Sequence, residues 1–224
     1  MYVPTLATLG GLLALTVKGM PAIATDDPIT PAATSSAADE FAAQGYTIVP
    51  ATFTGDFGSN GETMTLNGTI EEVMAQVADI NPNYKWADED DSFTSKGDPE
   101  DDAWRERKVA KKDCNTDAGK VVQSTILAGV QYLYKKPKDE ARLEVKTCSR
   151  ISCSYNAAIY MCWDPVDGAP AVYTQPWWYV ADYAKGIALE WCPHEFDRDI
   201  GTYMVGGKTW DPMGLAVHVR RDKC

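Results

Sequence analysis

The sequence predicts an α+β fold, a compact α/β sandwich in which two helices pack on a small antiparallel sheet. Two segments in the second half of the chain have apolar residues at helical spacing, and β-prone segments lie between and after them. The same half holds all six cysteines, so we expect disulfides to stabilise the fold. Apolar residues make up 45% of the 224 residues, which is enough for a packed core.

Residues 1–24 are typical of a signal peptide, which predicts a secreted, extracellular protein. A mostly apolar stretch ends in Ala22-Ile23-Ala24, a pattern that signal peptidase accepts, so we expect the mature chain to begin at Thr25. The alternatives are a short membrane anchor and a buried helix. Because the apolar run is shorter than the roughly 18–20 residues that cross a bilayer, we predict no membrane span.

The cysteine count favours disulfides over a metal site. An even number of cysteines in a secreted chain predicts up to three disulfides, with 15 possible pairings between which the spacing does not choose. Zinc sites use closely spaced cysteine pairs or a histidine cluster, and the spacing here fits neither. The six residues are Cys114, Cys148, Cys153, Cys162, Cys192 and Cys224.

Charge divides the chain into unlike parts. Residues 25–112 contain 18 acidic and 7 basic residues, whereas residues 113–224 contain 14 acidic and 13 basic residues. We therefore distinguish an acidic leader at 25–85, a possible pro-region, from an acidic linker at 86–112 and a cysteine-rich α+β domain at 113–224. The net charge of −11 argues against a nucleic-acid partner, because phosphate binding needs a basic face.

The leader contains the signals of a small ββα unit. Tyr46–Pro50 and Thr63–Leu66 read as short strands, and a helix follows in which Thr69 and Glu72 form a capping box. Such a unit would bury little surface alone, so we expect it to pack on the second half of the chain. Asn67 begins the sequence Asn-Gly-Thr, which is either a glycosylation site or simply the turn and N-cap before the helix.

Two basic pairs end the linker, at Arg107-Lys108 and at Lys111-Lys112. In a secreted precursor, a basic pair in an exposed linker is where a processing protease cuts, so Lys111 and Lys112 are candidate processing residues. The alternative is that they are ordinary surface residues.

The cysteine-rich segment predicts helices and strands in alternation. We expect a helix over residues 121–133, a strand pair over 147–164, a second helix over 176–191 and a last strand at Leu215–Arg220. On the second helix the apolar residues share one face, which places Asp182 on the opposite, exposed face.

One sequence stretch, Cys148–Cys162 with its three cysteines, resembles small cysteine-rich secreted proteins of fungi that are related to killer-toxin-like effectors. Ala181–Ala184, Gly206-Gly207 and Val217–Arg220 extend the resemblance over most of the cysteine-rich segment. It implies a compact α/β sandwich, secretion and action on a target at the cell surface. The chain departs from the pattern at Ser149, where relatives have Gly, and at Trp163, where relatives have Asn.

The sequence offers little catalytic chemistry. There is no G-x-S-x-G elbow, no phosphate loop and no dinucleotide fingerprint, so we predict no cofactor. His194 lies in a polar loop beside carboxylates and His218 lies in an alternating strand, and for neither do we predict a metal site. A glycosidase needs two carboxylates beside a cleft, and the available candidates are Asp164, Asp182 and Asp211.

A binding role fits the composition better than catalysis. Trp163 and Trp178 belong to an aromatic cluster, and Lys135 and Lys136 form a basic group at the end of a helix. We therefore predict a secreted protein that binds an extracellular protein, a glycan or a membrane surface through these four residues. The alternatives are an extracellular hydrolase or carbohydrate-active protein with a carboxylate pair, and a structural cell-wall protein.

Overall fold

The computed structural model describes residues 36–86, 107–116, 118–135 and 140–224, and the signal-peptide prediction lies outside this part of the chain. Four α-helices, a π-helical turn and 13 strands follow one another in these ranges. In chain order they are α1 (Ala37–Ala43), β1 (Thr47–Ile48), β2 (Thr52–Gly55), β3 (Met64–Asn67), α2 (Ile70–Ile80), β4 (Lys111–Asp113), β5 (Val121–Val122), α3 (Gln123–Tyr134), β6 (Glu140–Glu144), β7 (Thr147–Ser154), β8 (Ala157–Trp163), β9 (Val172–Pro176), α4 (Trp177–Gly186), the π-helical turn (Ile187–Trp191), β10 (Glu195–Asp197), β11 (Thr202–Val205), β12 (Gly207–Trp210) and β13 (Leu215–Arg221).

A six-stranded sheet with the strand order β1-β7-β8-β13-β12-β4 forms the centre of the fold. All its neighbouring strands are antiparallel except β1 and β7, which are parallel. Every residue of β8 is buried, because both faces of the sheet are covered. Ile159 and Met161 point into the larger core beneath the helices, whereas Tyr160 and Cys162 point into a smaller core with Phe41 of α1.

The acidic leader is part of this fold. Phe53 of β2 stacks on Trp177 of α4 with ring centroids 4.3 Å apart, and Ile70, Val73 and Val77 of α2 are fully buried in the larger core. Residues Ser35–Cys224 form one compact unit, so no structural boundary falls at residue 113. The ββα unit therefore packs on the second half of the chain, as the sequence predicts.

Helix α2 begins at its predicted capping box, whereas α3 begins at Gln123, two residues after the predicted start, because Val121 and Val122 form β5, and α1 is a helix that was not predicted from the sequence. Thr69 and Glu72 form the capping box of α2: the backbone N–H of Thr69 donates to Glu72 Oε2 at 2.7 Å, and the N–H of Glu72 donates to Thr69 Oγ1 at 3.4 Å. Helix α3 crosses β7 closely at Gly129, where a Cβ atom would lie 2.3 Å from Ser152 Oγ. Any larger residue at this position would have to displace the Ser152 side chain, which donates a hydrogen bond to Glu71.

The six cysteines form three disulfides, which is the largest number that the sequence predicts. The first joins the end of β4 to the end of the π-helical turn, the second joins directly opposed residues of β7 and β8, and the third ties the C-terminal residue to β7. The pairs are Cys114–Cys192, Cys148–Cys162 and Cys153–Cys224.

The α+β class is confirmed, but the sheet content is larger than the predicted single small sheet. Beside the central sheet, the described residues form a three-stranded sheet, β10-β11-β5, and two-stranded sheets, β2-β3 and β6-β9. Most of the additional strands are two to five residues long, so they show too few alternations to be recognised in the sequence.

The predicted linker at 86–112 is corrected at its C-terminal end, and residues 87–106 lie outside the described part. Lys111 and Lys112 belong to β4, an edge strand of the central sheet that pairs with Trp210 and Thr209 of β12. The Lys111 ammonium also lies 4.8 Å from the centroid of the Trp210 ring. A protease that cut here would have to remove β4 from the sheet, so the sheet protects the predicted processing site.

Candidate functional site

Asp182 is buried rather than exposed, which corrects the prediction that it faces solvent. Its residue is 3% exposed because α4 is covered on a second side by the segment that begins at Arg107. Arg107 Nε donates to Asp182 Oδ2 at 2.7 Å, and the Tyr134 hydroxyl donates to Oδ1. Burial raises the pKa of Asp182, and the hydrogen bonds from Tyr134 and Arg107 oppose that shift. The carboxylate therefore anchors a chain segment.

Trp178, a predicted binding residue, is half-buried and already has a partner. The Arg107 guanidinium lies 4.7 Å from the centroid of the Trp178 ring and 4.8 Å from that of Tyr179. Such cation–π contacts add to the ion pair with Asp182. Trp178 thus holds Arg107 in place, which leaves only part of its surface for an external ligand.

Asp211 organises the turn before β13. Its Oδ1 atom accepts hydrogen bonds of 2.8 Å from the backbone N–H groups of Met213, Gly214 and Leu215, and its Oδ2 atom accepts one of 3.2 Å from the Tyr179 hydroxyl. Because the carboxylate accepts these hydrogen bonds, its role is to hold the backbone of this turn in place.

Asp164 lies apart from these groups in a partly exposed ion pair. Lys146 Nζ lies 2.6 Å from Asp164 Oδ2, and the Tyr46 hydroxyl donates to the same oxygen at 3.4 Å. None of the three candidate carboxylates lines the cleft beside α1 and β1 or the smaller cleft beside His218. Each has its own structural partners, so the geometry does not favour a carboxylate pair for hydrolysis.

Trp163 cannot contact an external ligand, which corrects its predicted binding role. It is fully buried in the larger core, where its ring centroid lies 5.1 Å from that of Tyr173. Lys135 caps the C-terminal end of α3, whereas Lys136 lies outside the described residues. The predicted binding residues therefore do not form one surface.

Asn67 is exposed at the end of β3, and its side-chain oxygen accepts a 3.1 Å hydrogen bond from Thr52 Oγ1. Thr69, the third residue of the glycosylation sequence, is 3% exposed and caps α2. The N-cap interpretation of this motif is confirmed, and glycosylation of Asn67 stays a prediction.

The two histidines have different surroundings. His218 is buried, and its pKa is lowered to about 3 because of burial, Lys208 and Arg220. His194 lies near the surface with its ring centroid 5.2 Å from that of Tyr203. In the described ranges no group of three or more His, Cys, Asp or Glu side chains could hold a metal ion.

An exposed aromatic group lies on the hairpin formed by β10 and β11, which we call the aromatic hairpin (residues 194–205). Phe196 and Tyr203 are opposite each other in the register, their ring centroids are 5.2 Å apart, and they are 54% and 46% exposed. Ile200 at the turn is 58% exposed. Exposed aromatic and aliphatic side chains that lie together are typical of an interaction surface.

Charged residues surround this apolar surface. Glu195 forms a 2.5 Å ion pair with Lys120, and Asp197 Oδ1 accepts hydrogen bonds from the backbone N–H groups of Asp199 and Ile200. Asp197 therefore holds the turn that presents Ile200. From the sequence alone, residues 192–199 read as a polar loop. Phe196 facing Tyr203 across a turn containing Gly201 was the signal that could have identified a hairpin.

The chain matches no protein-family profile, and comparison with curated proteins and with solved structures finds nothing similar. In the part of the chain that the structure describes, we find no helix with both the length and the apolar character needed to cross a bilayer.

Proposed function

We propose that this chain is a secreted, disulfide-stabilised protein that acts by binding an extracellular or cell-surface target through the aromatic hairpin. The observation that carries the proposal is the exposed pair Phe196 and Tyr203, whose rings contact each other across the two strands. Aromatic side chains supply a large contact area at a low cost in conformational entropy, and they are enriched at interfaces.

The base of the hairpin supports this role because it is held rigidly. Cys192, which the disulfide joins to Cys114, lies directly before the hairpin, and β11 pairs with β5. Lys120, directly before β5, also forms an ion pair with Glu195 of β10. A surface that is ordered before binding loses less entropy when it contacts its target.

Membership of the killer-toxin-like effector group is part of the same proposal. An α+β fold with three disulfides supports it, as does the position of the motif Cys148–Cys162 on the two central strands β7 and β8. Proteins of that group act at cell surfaces, so intact fungal cells and isolated cell walls are the first targets to test.

The first test is a binding assay with labelled protein on these cells and walls. We expect the double variant Phe196→Ser, Tyr203→Ser to bind about tenfold more weakly or worse, because it removes the aromatic contact. The matched control is Val145→Ser, Val166→Ser, which removes exposed apolar side chains elsewhere on the surface and should bind as the wild type does. The proposal is wrong if the wild type shows no saturable binding or if both double variants bind equally.

A second test addresses secretion and processing. We expect the product secreted from the complete coding sequence to begin at Thr25 and to gain two hydrogen atoms per disulfide on full reduction, as measured by intact mass. A chain that stays inside the cell with its first 24 residues would contradict secretion. A product that begins near Asp113 would show that β4 is cut despite its pairing.

A further inference from the structure

A cleft of about 570 Å³ opens on the α1 side of the central sheet, and no residue of the aromatic hairpin lines it. We call it the α1 cleft. Its volume falls in the range of sites that hold small organic ligands, roughly 300–1,000 Å³. Its walls are mainly apolar and come from the start of α1, from β1 and from the residues that follow β1. They include Ala37, Ile48, Val49, Pro50 and Ala51.

The polar end of the α1 cleft is formed by Arg150, Tyr160 and the C-terminal residues Asp222 and Lys223. Arg150 Nη1 donates to Asp222 Oδ2 at 3.1 Å and to the carbonyl oxygen of Lys223 at 2.9 Å, and the Tyr160 hydroxyl donates to Asp222 Oδ2 at 2.5 Å. Burial and the bond to Asp222 raise the pKa of Tyr160, so it remains a neutral donor. Protein donors therefore engage the Oδ2 atom of Asp222, and the Arg150 guanidinium balances its charge.

Arg150 retains donors for a ligand. Its two hydrogen bonds within the described residues both come from Nη1, so the Nε and Nη2 edge of the guanidinium has no partner there. Its side chain is 30% exposed and lines the cleft. That edge of a guanidinium presents two parallel N–H groups, which match the two oxygens of a carboxylate.

The second carboxylate in the lining already has a protein partner. Glu72 belongs to the capping box of α2, and its Oε2 atom accepts the backbone N–H of Thr69. The partial positive charge at the N-terminus of α2 offsets part of its negative charge. Lys223 also lines the cleft and is exposed, and its carbonyl oxygen contacts Arg150, so a second cationic side chain belongs to this end of the cleft.

The walls are fixed before any ligand enters. The backbone N–H of Val49 donates to the carbonyl oxygen of Cys148 at 2.8 Å, and Ser149 Oγ donates to the carbonyl oxygen of Val49 at 2.9 Å. The Cys153–Cys224 disulfide holds the tail that carries Asp222 and Lys223. Hydrogen bonds and a disulfide therefore hold the segments that form the walls of the cleft.

We propose that the α1 cleft binds a small amphiphilic carboxylate, with its apolar body against β1 and α1 and its carboxylate on Arg150 and Lys223. The apolar walls select a hydrocarbon or aromatic body, and the free guanidinium edge selects a planar anion. This site is independent of the aromatic hairpin, so either can exist without the other.

The test is calorimetric titration of the purified, oxidised protein with decanoate below its micelle concentration. We expect saturable binding at one site and at least about tenfold weaker binding of decyltrimethylammonium, which has the same chain and the opposite charge. Arg150→Gln should weaken decanoate binding about tenfold or more, whereas Arg142→Gln, a change at an exposed position of β6, should leave it unchanged.

Because Arg150 also holds the C-terminal tail, a second variant tests the site without touching that contact. Ala38 is exposed and lines the cleft, so Ala38→Trp should fill the cleft and abolish binding while thermal unfolding stays that of the wild type. The proposal is overturned if the wild type does not bind decanoate saturably, if the cationic analogue binds equally well, or if Ala38→Trp binds as the wild type does.

Discussion

Arg107 fixes the path of the chain where it rejoins the cysteine-rich segment. Its guanidinium pairs with the buried Asp182 and lies over two aromatic rings, and the carbonyl oxygen of the next residue, Lys108, accepts the Tyr183 hydroxyl at 2.9 Å. Removing Arg107 would be expensive, because the buried Asp182 carboxylate would be left without a compensating charge. A basic pair that suggested proteolysis in the sequence is therefore a structural anchor.

The environment of His218 determines its charge. It lies between the Phe41 ring, 5.1 Å away, and the cations Lys208 and Arg220 on the neighbouring sheet positions. Arg220 Nη1 in turn pairs with Glu40 of α1 at 2.7 Å. A proton on His218 would place a third positive charge in this buried group.

We predict that acid destabilises the fold through His218. Its folded-state pKa of about 3 lies below the ordinary value of 6.5, so the unfolded chain takes up the proton first. The contribution of neutral His218 to the free energy of unfolding is fully present above pH 6.5. It falls as the pH drops towards 3, by up to about 1.4 kcal/mol per pH unit. Urea unfolding at pH 7, 5.5 and 4 should show a steeper loss for the wild type than for His218→Gln.

Parallel pH profiles for the two proteins would contradict that expectation. Carboxylates also titrate in this range, but they are common to both proteins. The difference between the two profiles therefore isolates the contribution of the imidazole.

At the scale of elements, the start of α2 could be predicted from the sequence because its capping box depends only on neighbouring residues, whereas the short helix α1 was not predicted. The Thr69–Glu72 capping box needs only four residues to form, and α2 begins there. Helix α4 was predicted with one exposed face, yet Asp182 is buried there. A period of 3.6 residues identifies a helix, but it does not say whether a distant segment such as 107–110 covers the polar face.

The N-cap of α2 gives a prediction at this scale. Thr69→Ala should lower the free energy of unfolding by about 1 kcal/mol, because the N–H of Glu72 in the first turn of α2 loses its side-chain acceptor. Thr69→Ser is the control, since it keeps the hydroxyl and should cost less. Urea unfolding of the unglycosylated proteins measures both. An equal loss in the two variants would assign the effect to packing of the methyl group.

Short strands explain what the sequence could not provide about the site. The aromatic hairpin depends on three-residue and four-residue strands joined by a turn rich in charged residues, so it resembles a polar loop until its register is known. Trp163 and Trp178 were predicted to be binding residues from their residue type alone. Whether a tryptophan is exposed depends on which strands and helices cover it, and residue type carries no information on that.

At the scale of the whole molecule, the leader and the cysteine-rich segment share one core. Besides its apolar contacts, Glu71 of α2 accepts hydrogen bonds from Ser152 Oγ at 2.5 Å and from the backbone N–H of Cys153 at 3.0 Å. Strand β1 also adds to the edge of the central sheet next to β7. The acidic segment is therefore built into the fold even if the chain between the two parts is cut.

We predict that cutting this connection does not release the leader. With a specific protease site inserted between Trp86 and Arg107, the two pieces should co-elute on native size-exclusion chromatography after cleavage. Each fully buried side chain such as Phe53, Ile70 or Val73 contributes about 1.5–3 kcal/mol to their association. Separate elution without denaturant would show that the leader is a removable pro-region.

The complete burial of β8 has a consequence for how the protein opens. Its backbone is paired on one side with β7 and on the other with β13, and cores lie above and below it. No fraying of an edge strand or loop uncovers these amides, so their hydrogens exchange with deuterium only when the whole molecule unfolds. The slowest-exchanging amides of β8 therefore report global stability, and those of β1 and β4 at the two sheet edges report local opening.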